Sequence, residues 1–397
     1  MKDVKISDYL WFQEGPGVRN TQYTTSGVKL INVANLVDGN VDLSTSDRYI
    51  SEEEAYGKYN HFLADDGDFV IASSGIKIDY FDKKMGFIKK EHLPLCMNTS
   101  CIRFKVLDTN NLEIKYFMYY LKSNSFKKQL FNQITGSAQL NFGPSHLKKM
   151  TFPLIELKEQ KRIIERLDKT QNIINETKSL LSKYDTLIKS RFIEMFGDPV
   201  QNPMGWKQKQ LQDVCNAIVD CPHSTPNYTK ENTGFMCIRT NIIRPTGLNW
   251  DDIEYISENE FYKRVSRRQP RIGDIVYLRE GGILGIAAII NRNVNVALGQ
   301  RTMLLSPNYE ICNSIYICET MNMKSFFNKA LEKMGGSASP HINVADIKAF
   351  PISIPPIELQ NDFATFVQQI DKSKFAVQQS LEKAETLYKS LMQEYFG

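Results

Sequence analysis

The chain contains a second copy of itself. LIKSRFIEMFG at Leu187–Gly197 returns as LYKSLMQEYFG at Leu387–Gly397, displaced by 200 residues. The same displacement pairs Tyr116 with Tyr316, Gly136-Ser137-Ala138 with Gly336-Ser337-Ala338, and Gln160 with Gln360. Upstream the register drifts by a few residues, yet YISE at Tyr49 meets YISE at Tyr255, and Gly67-Asp68 meets Gly273-Asp274. Solenoid units run to roughly 20–50 residues, so a repeat this long is a duplicated domain. Any fold must be built twice.

Each half follows one plan. Residues 28–36 and 67–72 read as short apolar strands between Gly, Asp and Asn turns, with counterparts at Phe235–Ile242 and Gly273–Leu278. Lys115–Phe131 and Ser314–Leu331 carry helical spacing with aromatic anchors. Each of these runs into a glycine loop, GSAQLNFG or GGSASPHIN, and then a short apolar strand that ends near Pro153 or Pro355-Pro356.

A long helix follows in each half. Ile163, Leu167, Thr170, Ile174, Thr177, Leu181, Tyr184, Ile188, Arg191 and Met195 are spaced by alternating steps of four and three. Phe363, Val367, Ile370, Lys374, Val377, Leu381, Ala384, Tyr388, Leu391 and Tyr395 keep the same register. Such a seam is that of a coiled-coil strand. Ile173, Leu180 and Leu187 widen the first stripe, which predicts a further partner on that face. Gly197 and Gly397 end the helices, and Pro199 and Pro203 prevent continuation of the first. The second helix can pair with the first only by running back along it. The expected fold is therefore α+β: two similar mixed domains joined by two long antiparallel coiled-coil helices of about 57 Å, related by an approximate two-fold axis. The C-terminal Gly397 should return to the first domain.

Composition bounds the class. The 397 residues suffice for two or three domains, and 42% hydrophobic with 24% charged residues is ordinary for a globular protein. The longest apolar run, Gly282–Ile290, is too short to span a membrane, and MKDVKISDYLWF is no signal peptide, so a cytoplasmic location is expected. The seven cysteines include no CxxC pair, and the spacings of Cys215, Cys221, His223 and of Cys312, Cys318 suit no common metal site. No metal ligand set and no disulfide framework is expected. Net charge is only +4, but nine arginines fall between Arg239 and Arg301, which implies a basic patch.

The search for catalytic motifs is empty: no GxxxxGK[ST] loop, no HExxH helix, no GxSxG elbow, and no Asn/Asp-Pro-Pro-aromatic motif. The glycine loops are better candidates, because glycine lets a backbone approach a ligand and Ser, Asn and Gln suit phosphates and base edges. A structural turn before the long helix is the competing explanation. Two similar readers on one chain suit duplex DNA, which presents two similar faces. The candidate DNA contacts are Ser73, Ser74, Lys77, Arg103, Ser137, Gln139 and Asn141 in the first half, and Arg239, Asn241, Arg279, Arg301, Ser337 and His341 in the second. Arginine suits bidentate contact with guanine, and pairing with nearby carboxylates is its alternative.

PLIELKEQKRIIERLD (Pro153–Asp168), PPIELQNDFATFVQQID (Pro355–Asp371) and the junction FGDPVQNPMGW (Phe196–Trp206) together resemble the specificity subunits of type I restriction-modification systems, over essentially the whole chain. The resemblance implies target-recognition domains at 1–152 and 198–352, with spacer helices at 153–197 and 353–397. It implies that each domain reads one half of a split DNA target while the helices fix the spacing and dock two modification subunits. S-adenosylmethionine, ATP and Mg²⁺ would then belong to modification and restriction subunits, with no cofactor and no catalysis on this chain. A nuclease or methyltransferase carrying its own site, and a coiled-coil scaffold without DNA function, are the alternatives.

Overall fold

The computed structural model describes residues 2–134, 140–281, 284–332 and 341–397, with the backbone alone at residue 140. It forms two compact units, Met1–Glu176 with Leu381–Gly397, and Thr177–Ser380. The division falls inside both long helices, Leu157–Phe196 and Ile357–Phe396. Each unit therefore holds the beginning of one and the end of the other.

The two units share a topology. In the first, an antiparallel sheet runs Leu10–Glu14, Cys101–Val106, Phe69–Ala72, Met85–Phe87. In the second, the order is Cys215–Asp220, Thr302–Pro307, Ile275–Leu278, Ala287–Ile289. A mixed three-stranded sheet follows the same pattern: Leu95–Met97 lies parallel to Val28–Ile31, as Val296–Leu298 does to Met236–Ile238. The expected strands are shorter than the apolar runs. After Ile31 the Asn32 amide donates to Asn35 Oδ1 at 2.9 Å, which turns the chain into a 3-10 helix. The expected helices over 115–131 and 314–331 are each two helices. In the first unit Ser123 ends one and caps the next, its Oγ accepting from the Phe126 amide.

The long helices are held to their domains by a buried glutamine. Gln160 is fully buried: its Oε1 accepts from the Glu113 amide at 2.9 Å and its Nε2 donates to the carbonyls of Asn111 and Ile155. Gln360 repeats the arrangement with the Asn313 amide and the carbonyls of Ile311 and Pro355. Tyr116 and Tyr316 add matching bonds of 2.9 Å to the carbonyls of Pro153 and Ser353. In the first unit Ile163, Leu167 and Phe396 share one core, and Arg166 Nη1 donates to the Tyr395 hydroxyl. In the second, Phe192 and Phe196 pack edge-on against Phe363, and Lys374 pairs with Asp185 at 2.6 Å. Within each unit the start of one long helix thus meets the end of the other. That is the expected antiparallel pairing, and it accounts for the polar seam residue Lys374.

Seam burial is uneven. Ile163, Leu167, Ile174, Ile188, Val367 and Leu381 are buried, whereas Leu181, Tyr184, Ile370, Val377, Tyr388 and Leu391 are half-buried. Leu180 and Leu187 stand exposed. The junction is a built turn: Gly197 has φ +76°, a Cβ there would meet Pro203 Cγ at 2.5 Å, and the Trp206 indole donates to the Phe196 carbonyl. Among the described residues no helix is long and apolar enough to cross a membrane.

In the second unit a cavity of about 570 Å³ opens beside the long helices, lined by Ile188, Ile289, Ile315 and Val367 with Glu319 on its wall. The equivalent positions in the first unit, displaced by 200 residues in one direction or the other, carry the larger Tyr388 and Tyr119 in place of Ile188 and Glu319. Burial pushes the Glu319 carboxyl up to about 7, with Lys189 and Lys374 opposing and Asp371 and Asp185 reinforcing.

Replacing Gln360 with methionine keeps the volume but orphans one amide and two carbonyls, and should cost about 2–4 kcal/mol in urea unfolding. A loss within about 0.5 kcal/mol would show that the amide is dispensable. For Glu319 the unfolded chain gives up its proton more easily than the folded one, so folding stability is lost as pH rises from the ordinary 4.5 toward 7. Glu319→Gln should match the parent near pH 4 and exceed its stability by about 1–3 kcal/mol near pH 8. An equal difference at both pH values would contradict this.

Candidate nucleic-acid interface

The ends of the central strands meet at one place in each unit. In the first unit Glu14 closes Leu10–Glu14, Ser73 follows Phe69–Ala72, and Ser100 precedes Cys101–Val106. The Ser73 amide donates to the Ser100 carbonyl at 2.8 Å, and the Ser73 carbonyl accepts from the Phe142 amide at 3.0 Å. Ser74 pairs across the ladder with Asn141. The second unit repeats these backbone bonds. The Arg279 amide donates to the Arg301 carbonyl at 3.1 Å, the Arg279 carbonyl accepts from the Ile342 amide at 2.9 Å, and Glu280 bridges to His341. Ser100 and Arg301 even share a backbone angle, φ +68° in both.

On this common frame the side chains differ. In the first unit Ser73 Oγ donates to Glu14 Oε1 at 3.2 Å, and the hydroxyls of Ser74 and Ser100 pair at 2.6 Å. In the second the Arg279 guanidinium holds Asp220 through Nε at 2.9 Å and Glu280 through Nη2 at 2.8 Å. His223 Nε2 lies 3.1 Å from Asp220 Oδ2, and Gln300 donates to the His223 carbonyl. One site is hydroxyl-rich and short; the other is longer and strongly charged. A repeated scaffold with exchanged side chains is what two readers of different sequences require.

The candidate contacts divide accordingly. Ser73, Ser74, Asn141, Arg279, Arg301 and His341 lie at these strand ends. Lys77 is exposed nearby, just past Ser74–Ile76. Arg239 is partly exposed, ion-paired with Glu254 and stacked 4.4 Å over Tyr228. Its hydrogen bond to Glu254 raises the Arg239 pKa further. Asn241 is exposed on the following 3-10 turn. Ser137, Gln139 and Ser337 lie outside the described residues.

Arg103 is a correction. It is buried, and its donors go to Gln13, Asp68 and the carbonyls of Leu63 and His61, so it braces the domain interior and offers nothing to a ligand. The equivalent residue of the second unit, one strand position past Met303, is the apolar Leu304. Ser73 and Arg279 are also buried, so they shape the floor of each site and do not project from it.

Sequence reading missed Glu14, Asp220, Ser100, His223 and Gln300. None belongs to a motif, and they become neighbours only through strand pairing. The cysteines are free and offer no activated thiol: burial raises Cys96, Cys101, Cys215, Cys237 and Cys312 to about 12. Among the described residues no group of three or more His, Cys, Asp or Glu side chains is arranged to hold a metal ion.

The type I restriction modification DNA specificity domain model matches residues 19–182 and again 203–385. The type I restriction enzyme MjaVIII specificity subunit of Methanocaldococcus jannaschii is 27% identical over 175 residues, 43% of this chain but only 39% of that protein. The EcoKI specificity subunit of Escherichia coli K12 is 20% identical over 357 residues, 83% of this chain and 74% of that protein. The crystal structure of a type I restriction-modification system S subunit from M. genitalium shares the fold, with a TM-score of 0.57 at 14% identity over 100% of this chain and 96% of that one. Matched twice, over most of its length, the chain belongs to the type I restriction-modification DNA specificity family.

Proposed function

We propose that this chain is the non-catalytic DNA-reading subunit of a type I restriction-modification assembly, each unit recognising one half of a bipartite duplex target. The observation that carries this reading is the pair of strand-end sites, where one backbone frame carries Glu14, Ser100 and Asn141 over the buried Ser73 in one unit and Asp220, Arg301 and His341 over the buried Arg279 in the other. Different side chains on one frame predict different half-sites. The methyl transfer from S-adenosylmethionine, and the ATP- and Mg²⁺-dependent cleavage, are assigned to modification and restriction subunits, and the assembly to the cytoplasm. Leu180 and Leu187, exposed on the first long helix, are the apolar surface offered to a modification subunit. With a net charge of only +4, part of the phosphate contact falls to those partners.

Exchanging residues 1–150 for the corresponding domain of another specificity subunit should change one half of the methylated sequence and leave the other intact, read by mapping methylated adenines across a host genome. Changes in both halves would defeat the two-reader assignment. For the assembled complex with about six phosphate contacts, raising salt from 50 to 200 mM should weaken DNA binding about a thousandfold. Binding insensitive to salt would count against it.

A further inference from the structure

We infer that the position shared by Ser100 and Arg301 sets the base preference of each reader, with Arg301 taking a guanine edge in the second half-site. The inference rests on the DNA-reading function proposed above and assigns it a specificity-determining residue.

Three observations converge. Ser100 and Arg301 both adopt φ +68°, a left-handed conformation that costs any residue bearing a Cβ and that glycine would relieve. Asp38 and Asn202, the other non-glycine residues with positive φ among those described, are of types that tolerate it; serine and arginine are not. Strain kept at the same place in both copies points to a need for the side chain.

Secondly, Arg301 is exposed, and among the described residues its guanidinium has no hydrogen-bond or ion-pair partner, with Nη1 lying over Gly281. The neighbouring arginines are committed: Arg279 to Asp220 and Glu280, Arg264 to Glu260 and the Leu298 carbonyl. A free planar fork beside a fixed one is suited to bidentate contact with guanine O6 and N7. Thirdly, the backbone carbonyl of each residue is pinned by the amide of residue 73 or 279, so the side chain leaves a rigid base. Ser100, paired with Ser74, presents only a short uncharged surface there.

The test uses the complete methyltransferase complex and maps its methylated sequences. Arg301→Gly relieves the backbone strain, which protects folding, and removes the fork; Arg301→Lys keeps the charge and loses bidentate geometry. Both should relax one guanine position in one half-site, with discrimination falling between about fivefold and a hundredfold, while the other half-site stays unchanged. Ser100→Arg should alter only the half-site that Arg301 does not. Unchanged preferences in all three variants would overturn the inference. So would a uniform loss of affinity across all sequences, which marks a phosphate contact. If the parent complex itself methylates without sequence preference, the proposed function falls instead.

Discussion

A buried amide side chain needs partners for its two hydrogens and its oxygen, and Gln160 and Gln360 find theirs on the backbone. Each reaches from the first turn of a long helix to the loop before the aromatic helix of its domain. The angle at which the helix leaves the domain is thereby fixed by directional bonds, and the aromatic packing of Tyr116 or Tyr316 fills in behind. Apolar contact alone tolerates sliding; three hydrogen bonds from one side chain do not. A reader whose mount could slide would lose its register on a base edge, where misplacement by an ångström is enough to break a hydrogen bond.

The strand-end sites follow the same economy. Backbone bonds carry the geometry common to both, so the side chains there can differ between the units. Arg103 and Leu304 show the opposite case: an interior position where each unit settled its own packing, one with a saturated guanidinium and one with an aliphatic group. Asp68 is answered by Arg103 in the first unit, while Asp274 is answered by Ser306 in the second. Charge in the sequence therefore did not distinguish surface from interior.

The long helices, each of 40 residues, were legible because a heptad pattern repeats along most of their length and its two copies stay in register. The depth of burial was not: Leu181 is half-buried although its spacing matches that of buried Ile174 and Ile188. The paired sites were harder to read, because their members are offset unequally. Glu14 and Ser73 stand 206 residues before Asp220 and Arg279, Ser100 stands 201 before Arg301, and Asn141 stands 200 before His341. Most of that slip arises between Ala72 and Met85, where the first unit carries the 3-10 segment Ile78–Lys83. Alignment at a single displacement finds the helices and misses the sites.

Phe396 has a consequence for how such a chain is made. It sits in the core of the first unit, against Tyr116 and Tyr120, while the segment Thr177–Ser380 contains every residue of the second unit. Synthesis runs from the N-terminus, so the later-encoded unit has all its material in hand while the earlier one still waits for its final aromatic ring. On a ribosome the order of completion is thus reversed from the order of encoding, and the nascent first unit must keep an unfinished apolar face until residues 381–397 have been made.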